Sequence, residues 1–117
     1  MIGSGVYIEK DNEGNEVGFH FGTLASMYTE EVSGKPIYAV FKDIEKMSIT
    51  ALVQYFYGGL TAYNFLNGVA KKISLSDAAV TLDKFEVGKL FEIYSQSIKS
   101  PIKNGKAPVT TGQQVEG

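Results

Sequence analysis

The chain has 117 residues, 44% of them apolar and 21% charged, which is the size of one ordinary domain and excludes a disordered or collagen-like chain. Its net charge is -2 and its 11 basic residues are all lysines; lacking the planar arginine fork that grips phosphates and guanine edges, it is expected to have no nucleic-acid partner. The absence of cysteine excludes disulfides, thiolate metal sites and cysteine nucleophiles.

Residues 1–5 lack the basic and apolar regions of a secretory signal, and no stretch approaches the roughly 18 to 20 apolar residues of a membrane-spanning helix. A cytoplasmic protein is expected, with no membrane partner. Gly3 and Gly5 precede a strand instead of following one, so they assemble no phosphate-cradling loop and read as a frayed terminus. Val6, Tyr7 and Ile8, a polar cluster over residues 9–16, and then Val17, Gly18, Phe19, His20 and Phe21 form a β-hairpin pattern. Asp11, Asn12, Gly14 and Asn15 are the residue types that tolerate its turn. Period two puts Val17, Phe19 and Phe21 on one face and His20 on the other.

Gly22 ends the strand, and Thr23 is placed to cap a short amphipathic helix with Leu24, Met27, Tyr28 and Glu31 at three-four spacing, ending before Ser33 and Gly34. Pro36 suits the first turn of a second helix, whose apolar stripe is Ile37, Val40, Phe41 and Ile44. Ser48 is the next cap. Over residues 48–67 the polar positions Thr50, Gln54, Gly58, Thr61 and Asn64 fall on one stripe of about a third of a helix circumference. The remainder is apolar, so this helix must be covered on most sides and is the central element. Gly58 and Gly59 in its middle each cost about 1 kcal/mol relative to alanine and mark a bend or the close approach of another backbone.

Asn67 and Gly68 end the central helix, Ser74 or Ser76 starts a short one through Leu82, and a last helix is expected over residues 83–98 with Val87, Leu90, Phe91, Tyr94 and Ile98 on its apolar face. Pro101 stops it. Residues 102–117 hold three large apolar groups, too few to offset their own ordering entropy. The fold class expected is α+β, mostly α: an N-terminal hairpin followed by four to five short helices around a central hydrophobic helix. Residues 1–100 form one helical domain and residues 101–117 a flexible polar tail.

His20 is the single imidazole, but it stands between two core-directed phenylalanines with no nucleophile elbow near it, and it reads as a solvent-facing strand residue. Asp11, Glu13 and Asn15 fail as a calcium loop, because Glu16 stands where a glycine is needed and Gly22 where a bidentate glutamate is needed. Acidic residues are dispersed, with no carboxylate pair forced together by helical spacing. No enzyme activity, cofactor or metal is expected. Seven tyrosines and seven phenylalanines supply more apolar and amphipathic area than a few short helices bury alone. Phe85 and Ile93, off the main stripe of the last helix, are expected to be exposed. With Tyr55, Tyr57 and Tyr63 of the central helix, they are the candidate partner-binding residues, for self-association or for a partner helix laid in a groove.

The order of parts is informative: a hairpin, then Phe19, His20, Phe21, Gly22, Thr23 and Leu24 leading into a helix, then Tyr57, Gly58, Gly59, Leu60, Thr61, Ala62 and Tyr63 in a hydrophobic helix. With the turn at Lys71, Lys72 and Ser74 and the polar C-terminus, this arrangement resembles the tail assembly chaperones of long-tailed bacteriophages. The likeness covers about residues 6–98, and its motifs are fold requirements. It implies a non-enzymatic protein of the bacterial host cytoplasm, phage or prophage encoded and not part of the mature virion. Such a protein binds the tape measure protein and helps recruit tail tube protein during morphogenesis. Members of that family often have a longer frameshifted product, and the tail is where such an extension joins. The alternative is a phage structural part, such as a head-tail connector or tail completion protein, which would form a permanent ring; a small-ligand or enzyme domain is a second alternative.

Overall fold

The computed structural model describes residues 5–69 and 72–99. A two-stranded antiparallel sheet, β1 (Val6–Lys10) and β2 (Glu16–His20), is followed by helices α1 (Thr23–Ser33), α2 (Ile37–Glu45), α3 (Ile49–Leu66), α4 (Leu75–Leu82) and α5 (Val87–Lys99). The fold is mostly helical with one hairpin, as expected. The tail over residues 101–117, Gly3 and Lys71 lie outside the described residues.

The hairpin pairs Val6 with His20 and Lys10 with Glu16. Its turn forms because Asp11 Oδ1 accepts from the backbone N–H groups of Glu13 and Asn15, both at 2.9 Å, while Gly14 takes a φ of +84° that costs glycine little. Gly5 is not frayed: it is buried, and its carbonyl accepts from Phe21 N–H at 2.7 Å, prolonging the pairing past the strand ends. A hairpin of this size is marginal alone. Asn12 N–H donates to the Lys84 carbonyl at 2.8 Å, and ion pairs Lys84–Glu13 and Lys89–Glu9 hold it to the α4–α5 region.

Local signals account for most helix ends. Ser48 Oγ accepts from Ala51 N–H at 3.1 Å, and Ser74 forms a reciprocal capping box with Asp77. Thr23 is the first residue of α1 and not its cap; Gly22 holds the cap position without a side-chain bond. Helix α3 stops in a Schellman motif, with Gly68 N–H bonded to the Phe65 carbonyl and Val69 N–H to the Asn64 carbonyl. Helix α2 stops in the same motif through Met47 N–H to Ile44 O and Ser48 N–H to Asp43 O. There the left-handed position is occupied by Met47, with φ +69°, where glycine would be unstrained.

Helix α3 is enclosed from Tyr55 to Ala62. Its expected polar stripe is not its open side: Gly58 and Thr61 are buried, and α1 lies against Gly58. The face of α1 turned inward is Ala25 and Thr29, while Met27 is exposed, so the expected stripe of Leu24, Met27, Tyr28 and Glu31 is rotated. Small side chains decide this orientation. A methyl at Gly58 would overlap the Ala25 carbonyl oxygen and the Thr29 hydroxyl, and a methyl at Gly59 would overlap the Phe21 ring. Thr29 Oγ1 donates to the Ala25 carbonyl at 2.9 Å.

The core is aromatic. Phe21 stacks on Tyr55 with centroids 4.8 Å apart, Phe19 meets Phe56 edge-on at 5.1 Å, and Phe85 tilts against Phe19 at 6.2 Å. Helix α2 adds Val40 and Ile44, as its stripe predicted, and α4 adds Ala78 and Leu82.

Gly58→Ala gains helix propensity but forces a methyl into backbone and is expected to lower stability by about 1 to 3 kcal/mol net, read by urea denaturation with an unchanged m-value. In the same assay Met47→Gly is expected to raise stability by about 0.5 to 1 kcal/mol, since relief of left-handed strain outweighs the added freedom of the unfolded chain.

Candidate functional site

Four of the five candidate binding residues belong to the core. Phe85 is 5% exposed and Ile93 1% exposed, and Tyr55 and Tyr57 are also buried. The expectation that Phe85 and Ile93 face solvent is therefore corrected, for two physical reasons. Helix α5 begins at Val87 rather than near residue 83, so Phe85 sits in a turn that the Asn12–Lys84 hydrogen bond draws against the hairpin. The inward stripe of α5 is Leu90, Ile93, Tyr94 and Ser97, one position round from the expected one, and Val87 is left exposed.

A polar residue in that stripe misled the count of apolar positions. Ser97 is buried because it completes a hydrogen-bond chain: its Oγ donates to the Tyr94 carbonyl at 2.7 Å and lies 2.6 Å from Tyr55 Oη. The serine's single proton goes to the carbonyl, so the tyrosine donates to the serine. Burial pushes the Tyr55 phenol above its ordinary value, and the Ser97 bond only partly opposes this. The neighbouring Tyr94 phenol is also raised by burial and then by Glu45.

This pair forms part of the wall of a cavity of about 420 Å³. Phe21, Phe41 and Tyr55 supply aromatic surface; Gly22, Thr23 and Ser26 of the α1 start and Tyr38 of α2 supply polar groups; Ser97 and Ile98 close it on the α5 side. Its hydroxyls are not arranged around a base or metal ligand. Among the described residues no three His, Asp or Glu side chains gather to hold an ion, and His20 lies on the hairpin, paired with Val6.

Tyr63 alone of the five candidates reaches the surface, half-buried. Its ring lies over Gly18, in the space a Cβ would occupy. Gly18 pairs with Ile8, and directly opposed residues share a sheet face, so Tyr63 covers the outer face of the hairpin beside Ile8. Val6, two residues away, is on that face too. Val6 and Ile8 are each 47% exposed. Leu66, one helical turn beyond Tyr63, is 53% exposed, and Phe65 and Val69 beside it are exposed as well. The outer hairpin face, which also carries His20 opposite Val6 and the Lys10–Glu16 pair at its far end, and the end of α3 thus expose apolar surface outside the core. Sequence reading found only its tyrosine; the pairing of Gly18 with Ile8 was the signal for the remainder.

Comparison with protein-family models, curated proteins and solved structures finds no match. No helix among the described residues is long and apolar enough to cross a membrane.

Because the Tyr55 phenol titrates higher in the folded chain than in the unfolded one, its contribution to stability is complete below about pH 10 and is lost as pH rises beyond that. Tyr55→Phe is expected to cost about 1 kcal/mol at pH 7 through the lost Ser97 bond and to flatten the alkaline fall in stability, as measured by urea midpoints between pH 8 and 11.5. A wild-type-like alkaline slope in the variant would refute the assignment.

Proposed function

We propose that this chain is a non-enzymatic binding module acting as a phage tail assembly chaperone, holding the tape measure protein while tail tube subunits are recruited. The observation that carries the reading is the apolar surface of Val6, Ile8, Tyr63 and Leu66, which stands apart from a core complete without it. A tape measure is a long helical chain whose apolar stripes aggregate until the tube encloses them. A shallow apolar face can cover such a stripe reversibly, with affinity limited by the small area engaged. The order of hairpin, Phe19–Leu24 segment and Gly58–Gly59–Leu60 helix supports the same reading.

Leu66→Asp combined with Ile8→Lys changes only exposed side chains and is expected to leave the folded state intact to within about 1 kcal/mol. In co-expression with a phage tape measure protein, the wild-type chain is expected to capture that partner and the double variant to lose at least tenfold of the capture. A soluble wild-type chain that captures none, or that elutes from size exclusion as a stable closed ring, would instead favour the connector or tail-completion reading.

A further inference from the structure

The hairpin has a free edge, and two hydrogen bonds define it. Phe21 N–H reaches the Gly5 carbonyl and Asp11 N–H the Asn15 carbonyl, so the odd-numbered residues along β1 turn their N–H and C=O groups toward β2. The same alternation turns the N–H and C=O groups of Val6, Ile8 and Lys10 outward, and no backbone group among the described residues pairs with them. It is β2 that packs on α3, through Phe19 on Phe56 and Phe21 on Gly59, and β1 is the strand away from that helix. Sheet edges are often blunted by proline or by a bulge. β1 pairs regularly over its five residues with neither, and an exposed isoleucine stands at its centre.

We propose that β1 pairs antiparallel with β1 of a second copy about a two-fold axis at Ile8, joining two hairpins into a four-stranded sheet. Outward groups can meet only outward groups, so even-numbered residues must face even-numbered residues. Of the registers that satisfy this, the one centred on Ile8 pairs all of β1 and sets Val6 opposite Lys10, and Tyr7 opposite Glu9, of the second copy. Centring on Glu9 would oppose two carboxylates, which is destabilising, and centring on Tyr7 would pair fewer residues. The two-fold axis makes the edge its own complement, because each N–H that one copy offers meets a carbonyl of the other. On the outer face Ile8 then lies beside Ile8 of the second copy, with Gly18 and the overlying Tyr63 on either side, so the apolar surfaces of the two hairpins become continuous. So short a strand pair engages less than the roughly 1,200 Å² of a standard stable interface, and the dimer is weak and reversible. The inference does not depend on the tape measure reading, since it concerns this chain alone.

The test is NMR on the full chain with no partner present. Amide exchange at Val6, Ile8 and Lys10 is expected to slow at least about twofold from dilute to concentrated protein, while Tyr7 and Glu9, already bonded to β2, keep their rates. In a mixture of differently labelled chains, an NOE is expected between Tyr7 Hα and Glu9 Hα of the second copy, a closely approaching pair of this register. Ile8→Pro removes only an outward N–H and is tolerated on an edge strand; it is expected to abolish both signals while the cross-strand contact of Tyr7 with Phe19 persists. Outward amides that exchange equally at every concentration would overturn the proposal, whether fast, with the edge open, or slow, with another part of the same chain lying on it. Intermolecular NOEs in a different register would overturn it too. Both wild-type measurements need no variant, so they decide the matter even where Ile8→Pro disturbs folding.

Discussion

Helices α1 and α3 meet with only a hydrogen atom between them at Gly58, and the remaining packing follows from that approach. The Ala25 carbonyl and the Thr29 hydroxyl occupy the space that any side chain there would fill. With α1 seated this low on α3, Phe21, two residues before α1, falls beside Gly59 and stacks on Tyr55. Phe21 in turn fixes the end of β2, so Phe19 is delivered to Phe56 and Phe85. Two glycines in mid-helix sacrifice about 2 kcal/mol of propensity. Burial of the phenylalanines they admit, at about 1.5 to 3 kcal/mol each, more than offsets that loss.

One consequence is a division of labour among the aromatics. The rings that made the composition look rich in surface for a partner are largely consumed by an edge-to-face and stacked network running from the hairpin through α3 to α5. The apolar side chains left outside lie on the helices and on the hairpin, Val6 and Ile8 among them, and the hairpin is the least self-sufficient element, joined to the α4–α5 region by a backbone hydrogen bond and two ion pairs. Exposed ion pairs contribute little, so the hairpin's position rests on Phe19, Phe21 and the Asn12–Lys84 bond.

The elements legible in the sequence are those whose signals are local. The hairpin turn, the Ser48 cap, the Asn67–Gly68 stop and the α2 stripe depend on neighbours within a few residues, and each stands where its pattern put it. The α2 stop was missed because methionine carries no turn signal, although the Schellman bonds at Met47 match those at Gly68. The candidate site was legible only at Tyr63. Phe85 and Ile93 were misplaced because their burial depends on a hydrogen bond to the hairpin and on a serine that belongs inside, and hydrophobic counting registers neither.

The sequence by itself determined most of the places where the chain turns, which helix must lie at the centre and that two glycines there admit something close. Those properties are set by backbone conformational preference and by the amount of apolar surface each segment carries. Only the tertiary structure decided which face of α1 turns inward, which aromatics are enclosed and which aliphatics stay in water. These depend on the rotation of one helix against another, and that rotation is chosen by contacts between residues such as Thr29 and Gly58, far apart in the chain.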